Sequence, residues 1–329
     1  MRVLLTGSSG WLGRFLAPEL RRNGHHVIGL DVAPGAETNV IASVANRGDV
    51  EQVFADQGIE AVVHAGALHK PDIVRFPAKC FVDVNVSGTL ALLETAVAAG
   101  HDRFVFTSTT SVMITQEIRD ENPSAAIWLD EEFGPLAPRN IYGVTKLAAE
   151  HLCRMHFLTH GLKCVVLRIG RFFPEDDDMI TEISGENLKA NEFLFRRLTV
   201  QDAARAHVAA LESAPTLGFG IFVISAPTPF ARRDVAELST DASAVVARIY
   251  PNVRDLYRWK RWSLPRTISR VYDASLAKRQ MGFVCQTDFA TILAALERDT
   301  ELPFVHDPAF VSPVAGACAI PAASTSSLL

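Results

Sequence analysis

A recurring alternation constrains this chain more than any other feature. Short, almost continuously apolar runs are separated by longer segments of helical pattern. The runs are "RVLLTG" (2–7), "HVIGLDV" (26–32), "AVVHAGA" (61–67), "RFVFTST" (103–109), "KCVVLRIG" (163–170) and "GIFVISA" (220–226). Val-, Ile- and Leu-rich runs without polar alternation read as strands covered on both faces, the habit of parallel sheets. "VIASVANRGD" (40–49) supplies a weaker strand signal. Between the runs, "WLGRFLAPELRRNG" (11–24) and "DVNVSGTLALLETAVAAG" (83–100) are amphipathic and stop at Gly24 and Gly100, a common way to end a helix. Strand and helix alternating on this scale predict right-handed βαβ units and an α/β fold with a doubly wound parallel sheet.

The rhythm changes after about residue 174. "PEDDDMITEISGENLKANEF" is polar and acidic, "LTVQDAARAHVAALESA" is helical again, and residues 226–300 are irregular. This predicts two units. Residues 1–175 and 198–225 form the sheet domain, and 176–197 with 226–304 form a smaller substrate domain over the sheet's carboxyl edge. Residues 305–329 end in "PVAGACAIPAASTSSLL" and are expected to be a mobile tail.

Bulk properties exclude several classes. With 329 residues and 48% hydrophobic content the chain can bury a full core. A net charge of −5 offers no general attraction to nucleic acid or acidic membranes. Five scattered cysteines without a C-x-x-C suggest neither a disulfide framework nor a zinc site. No signal-peptide pattern precedes the first strand, and no apolar run is read as long enough to cross a bilayer. The expectation is a cytoplasmic protein with a small-molecule substrate and no nucleic-acid or membrane partner.

The first strand runs straight into "TGSSGWLG", with Gly7, Gly10 and Gly13 at spacings of three. In a strand–turn–helix context such a loop lets backbone N–H groups approach a pyrophosphate at a helix N-terminus. Asp31 closes the second strand about 20 residues on, where an acid accepts from ribose hydroxyls and repels a 2′-phosphate. No Arg follows it in "VAPGA", which favours NAD over NADP. Asp49, after the third strand, is positioned to meet an adenine amino group. Further along, "NIYGVTK" puts Tyr142 and Lys146 on one helix face. That spacing alone fits a catalytic pair or two ordinary helix residues.

With "TGSSGWLG", "HAGA" (64–67), "NVSGT" (85–89), "TSTTSV" (107–112) and "YGVTK" (142–146) in this order, residues 1–210 resemble the extended short-chain dehydrogenase/reductases, in the NAD-dependent epimerase/dehydratase branch. The resemblance implies a Rossmann-type fold. It makes Tyr142 the acid/base and Lys146 the ammonium that lowers the phenol and holds the nicotinamide ribose. Thr109 becomes the hydroxyl that polarises the substrate oxygen, with Ser108 and Thr110 as neighbours. The implied cofactor contacts are Gly7, Ser9, Gly10, Trp11, Leu12 and Gly13 in the loop, then Asp31, Asp49 and Val50. Ala65, Gly66, Ala67 and Asn85 follow, with Tyr142 and Lys146. His64 resembles a residue of the cofactor cleft, and a satisfied buried His reads equally well. In that family the helices 83–100 and 143–160 build a four-helix interface, so a homodimer is expected, with Leu90, Leu93, Leu147 and Leu152 in its apolar stripes.

Departures narrow the chemistry. Family dehydratases carry an Asp-Glu pair after the active hydroxyl, whereas Thr109 is followed by "TSVMI". Elimination of water is therefore disfavoured, and Met113-Ile114 is expected to make an apolar wall. Only about thirty residues separate "RIGRFFP" from "LTVQD", where sugar-nucleotide members insert a longer segment that grips the nucleotide. Thr110, Arg171 and Arg197 are the substrate candidates, the two Arg being suited to a carboxylate or phosphate. The run from Glu175 to Asp178 reads as a solvated loop and no metal is expected. "YRWKRW" (257–262) reads as a lid or as a basic helix face packed by its Trp residues. The sequence thus points to an NAD-dependent dehydrogenase acting on a sugar-like or other small polar substrate. An epimerase that retains its NAD uses the same residues. A non-catalytic dinucleotide-binding sensor is the reading from another class.

Overall fold

The structure is a computed structural model, and it describes residues 1–119, 124–177 and 182–312. The apolar runs form strands β1 (Arg2–Thr6), β2 (His26–Asp31), β3 (Val40–Ile41), β4 (Ala61–His64) and β5 (Arg103–Thr109). A short strand β6 (Ile127–Leu129) precedes β7 (Lys163–Ile169), β8 (Phe219–Ile224) and β9 (Arg270–Tyr272). Seven of these make one sheet in the order β3-β2-β1-β4-β5-β7-β8, and every pairing in it is parallel. The order reverses between β1 and β4. Loops leaving those two strands turn to opposite faces, and a crevice opens between them at the carboxyl edge.

Helices cover both faces, as continuous apolar strands require. Helices Gly13–Arg22 and Val200–Leu217 bury Leu16, Leu20, Ala203 and Leu211 against Val3, Leu5, Val165 and Phe222 on one side. On the other side Arg47–Gln57, Ala78–Ala98 and Ile141–His160 bury Val50, Phe81, Leu92, Ala149 and Cys153 against Leu4, Val62, Phe104 and Val166. Helix Ala78–Ala98 corrects one expectation. By length and hydropathy it could cross a bilayer, yet 61% of its apolar window is buried inside the protein. Its middle, Val82–Ser87, is a π-helical stretch, a distortion frequent near functional sites. Cys80, in the first turn, is disulfide-bonded, a departure from the all-thiol chain expected from cysteine spacing.

A second core gathers Phe193, Leu238, Val246, Tyr257, Phe289 and Leu293 from helices Gly185–Glu192, Val235–Ile249, Val253–Lys260 and Phe289–Glu297 and the turns beside them. Ala126 and Trp128, from a stretch that carries no strand signal in the sequence, also join it. There β6 pairs with β9 in parallel, and Trp128 Nε1 donates to Asp273 Oδ2 at 2.9 Å. "YRWKRW" follows the bland reading only in part, since Trp259 is exposed. Tyr257 is buried, with its hydroxyl on Asn191 Oδ1 at 3.0 Å, while Trp262 packs edge-on against it. Residues 305–312, expected to belong to a mobile tail, pack over the sheet edge. Asp307 N donates to Pro174 O at 3.0 Å, and Phe310 lies edge-on to Trp11 with ring centres 5.0 Å apart. The rest of the expected tail, 313–329, lies outside the described residues.

Candidate active site

The glycine loop sits where β1 ends. Gly7 has φ +76°, and a Cβ there would stand 2.7 Å from Gly66 N. A Cβ on Gly13 would stand 2.2 Å from Gly7 O. The first glycine therefore lets the loop turn against the β4 loop, and the third seats the helix on the strand end. Helix Gly13–Arg22 has no side-chain cap and no acidic residue in its first turn. Its positive end is left for an anion. Ser9 Oγ and Trp11 Nε1 are buried donors with no hydrogen-bond partner among the described residues. A cradle that only glycine fits, an uncapped helix start and the orphaned Trp11 Nε1 in the cleft wall match a dinucleotide pyrophosphate. Asp31 completes the fit at the end of β2, accepting from Ser9 N at 3.0 Å and Ala33 N at 3.2 Å. Each carboxylate oxygen retains acceptor capacity for ribose hydroxyls.

From this loop one cleft runs to the end of β5. Its walls include Gly7, Gly10, Trp11, Leu12 and Asp31, then Ala65, Gly66 and Ala67, and beyond them Thr109, Tyr142 and Lys146. Thr6 secures the middle, accepting from Gly66 N at 3.0 Å and lying 2.7 Å from His64 Nδ1. His64 Nε2 meets Thr89 Oγ1 at 3.0 Å. The ring is fully buried, and burial followed by the Lys146 charge holds it down to about 3. His64 is thus a satisfied neutral core residue.

Helix Ile141–His160 starts with Asn140 capping Gly143 N at 2.9 Å, which presents Tyr142 and Lys146 from its first turns. The Thr109 hydroxyl acts on the Tyr142 phenol, and both residues line the cleft. Burial pushes that phenol up to about 12, against the pull of Thr109 and with a further rise from the Asp72 charge. Burial brings the Lys146 amine down to about 7, and its Nζ stands 4.1 Å from the Phe106 ring centre. The expected lowering of the phenol by Lys146 is not present in this arrangement: burial and the Asp72 charge raise the phenol, and burial lowers the amine against the pull of Cys153 and Glu150. Ser108 plays a different part. It donates to Glu150 Oε1 at 2.6 Å, and Arg168 clamps the same carboxylate at 2.8–3.3 Å.

Several expected site residues stand elsewhere. Asp49 lies in the first turn of helix Arg47–Gln57, held by Asn46 Nδ2 at 2.9 Å, and Val50 is in the core. Because β3 has two residues and the helix starts early, Ala42, Ser43 and Val44 take that stretch of the cleft wall. Asn85 is buried and clamps Leu68, donating to its O and accepting from its N, both at 2.9 Å, with Thr145 Oγ1 at 3.1 Å. It braces the β4 loop from below. Ser9, Gly13 and Thr110 support the walls without lining them. Met113 is fully buried in a cluster with Val112 and Leu129, so the expected apolar wall is absent there.

Arg171 and Arg197 do not face the cleft either. Arg197 Nε bonds the fully buried Glu192 at 2.7 Å and its Nη1 bonds Phe173 O at 3.1 Å. Arg171 pairs with Asp177 at 2.5 Å and lies 3.8 Å from Glu192. Burial alone would raise Glu192, yet Arg196, Arg197 and Arg171 hold it far below the usual carboxylate range. Of the acidic run, Asp176 pairs with Lys189 and His306, Asp177 pairs with Arg171, and Asp178 lies outside the described residues. The wall that sequence reasoning missed is aromatic. Phe172 and Phe173 stack at 4.5 Å beside His69; adjacent aromatics after β7 were the available signal.

The NAD dependent epimerase/dehydratase family model matches residues 3–224. A UDP-glucose 4-epimerase of Rhizobium meliloti (strain 1021) is 33% identical over 174 residues, 50% of each chain. A uronate dehydrogenase of Pseudomonas syringae pv. tomato is 27% identical over 196 residues, 57% of this chain and 66% of that protein. The chain spans about half the length of the first curated relatives it matches. The crystal structure of UDP-N-acetylglucosamine 4-epimerase from Bacillus cereus superposes with a TM-score of 0.61 at 22% identity, covering 91% of this chain and 97% of that one. That likeness is one of fold.

Proposed function

Since the chain belongs to the NAD dependent epimerase/dehydratase family, we propose that it is an NAD-dependent dehydrogenase that exchanges hydride with a hydroxyl or carbonyl carbon of a small sugar not linked to a nucleotide. The observation that carries this is one continuous cleft holding the glycine loop, Asp31 and the Thr109–Tyr142–Lys146 group. Bound NAD would accept or return the hydride. The chain's residues do the rest. Gly7, Gly10 and the start of helix Gly13–Arg22 hold the pyrophosphate, and Asp31 holds a ribose. A sugar oxygen seated between Thr109 and Tyr142 meets both hydroxyls, so Thr109 polarises it while Tyr142 takes or gives its proton. Lys146, held down to about 7 by burial, becomes fully cationic once polar oxygens replace its contact with Phe106, and its charge then favours a phenolate.

The nucleotide-free substrate is supported by the occupied guanidinium groups of Arg171 and Arg197, which leave neither for a diphosphate. We assign substrate contacts to the smaller unit, 176–197 and 226–304, with 126–129 added to it. Dependence on NAD, rather than cysteine usage, supports a cytoplasmic setting in this reading. Retained-NAD epimerisation is the second reading, favoured by the likeness to the Rhizobium epimerase. The test is a panel of uronates, aldoses and UDP-glucose followed by NADH absorbance. Stoichiometric NADH from a uronate or aldose is expected. Interconversion of UDP-sugars without NADH release would overturn the dehydrogenase reading in favour of the epimerase.

A further inference from the structure

His69 lines the same cleft as Tyr142, yet the proposed hydride transfer does not use it. Its backbone N–H donates to Asp72 Oδ2 at 2.8 Å, and its ring Nδ1 bonds the same oxygen. Asp72 has no exposed surface. Burial alone would raise its carboxyl; the hydrogen bonds and charge of His69, with Arg75, outweigh that and hold it below the usual range. Its Oδ1 has no hydrogen-bond donor among the described residues and sees Arg75 at 3.6 Å. An ionised carboxylate only accepts, so the imidazole proton sits on Nδ1. In the neutral ring Nε2 is then an acceptor. The ring is also held from the side, its centre 5.2 Å from Phe173, which stacks on Phe172 at 4.5 Å.

A helix start does not account for this arrangement. The Asp72 carboxylate accepts the His69 backbone N–H at the start of the turn Lys70–Val74, and any residue other than proline at 69 supplies that N–H; the ring Nδ1 contact comes in addition to it. The additional bond fixes an imidazole tautomer and orientation in the wall of a cleft. His69 and Tyr142 line one cleft, and the Asp72 charge raises the phenol.

We propose that His69, oriented by Asp72, is a substrate-binding residue whose Nε2 accepts a hydrogen bond from a hydroxyl of the bound sugar. This rests on the sugar dehydrogenase reading of the cleft, and the experiment keeps the two separable. In the first arm, imidazole ¹H–¹⁵N spectra of the protein without sugar should place the His69 proton on Nδ1, and Asp72→Asn should shift that signal. A proton found on Nε2 overturns the proposal whatever the substrate. In the second arm, NAD-loaded Tyr142→Phe is titrated with D-glucuronate and with L-arabinose, so that binding is read without turnover. Adding His69→Ala should raise Kd for the sugar that binds about tenfold, the usual worth of one lost hydrogen bond. His69→Gln, which keeps an acceptor, should recover part of the loss, and NAD affinity should stay unchanged. Equal sugar affinity with and without His69 overturns the proposal. Failure of the parent protein to form NADH with any sugar overturns the dehydrogenase reading instead, and the tautomer measurement still decides the orientation of His69.

Discussion

Tyr142 and Lys146 are buried in opposition to their charges, the phenol up at about 12 and the amine down at about 7. As they stand, the two groups are poor partners for proton transfer; binding must supply the polar surroundings that ionise them. Tyr142→Phe keeps ring and packing but removes the proton. It should cost about 10²–10⁴ in kcat, with NAD affinity retained. Lys146→Met should lose activity and also weaken NAD binding. Turnover of the Phe variant within a few-fold of the parent would reduce Tyr142 to a helix residue. Asp31 carries a second prediction: Asp31→Ala should weaken NAD more than NADP in parallel titrations, and tighter NADP binding by the parent would sink the assignment. These residues are legible because each motif is local: a strand end, a turn and a helix start within a few residues. Arg171, Arg197 and Asn85 look like ligand contacts because a sequence does not reveal partners. Glu192 and the Leu68 backbone claim them through the tertiary fold.

The strands of the sheet are legible as elements because burial on both faces leaves an unbroken apolar run. β6 and β9 are not. Strands of three residues carry no period, and their pairing joins segments far apart in the chain. Asp49 shows the same limit at an element boundary, since β3 has only two residues and Asp49, expected just after the strand, lies in the first turn of the helix. Helix faces follow a third pattern. Leu93, expected at a dimer interface, is buried in the sheet's own core, and Leu147 and Leu152 pack partly inside. The apolar residues that face outward on helix Ile141–His160 are Val144, Met155 and Leu158, with Val82 on the neighbouring helix. Leu158 is 70% exposed. We propose that this face, rather than the leucines, pairs two copies about a two-fold axis. Light scattering should give twice the chain mass at micromolar concentration, and Met155→Glu with Leu158→Glu should give one chain mass. A monomeric parent would dispose of the idea.

At the scale of the whole molecule, the sheet buries several ionisable groups in their neutral forms, and this fixes how stability depends on pH. His64 is held down to about 3 by burial and the Lys146 charge. His207 is held down to about 4, again chiefly by burial, while bonding Ala203 O and Thr107 Oγ1. In the unfolded chain both take up a proton near pH 6.5, whereas the folded protein resists until far lower. The unfolded state therefore binds more protons between those limits, and stability falls as pH falls through that window. Each unit of depression is worth about 1.4 kcal/mol, so the two rings together can remove a large share of a marginal stability. Lys146 acts in the same direction at higher pH, since its unfolded amine is charged well above the folded value of about 7. Tyr142 sets the opposite limit: its phenol ionises near pH 10 unfolded and near 12 folded, so stability is lost again above about pH 10. Melting temperature should accordingly peak on the alkaline side of neutrality and drop steeply from about pH 6.5 toward pH 4. His207→Gln, which removes one titrating ring but keeps hydrogen-bonding capacity toward Thr107, should melt lower at about pH 8 and flatten the acid slope. A parent protein whose melting temperature is unchanged between about pH 8 and about pH 5 would show that these rings are not held neutral.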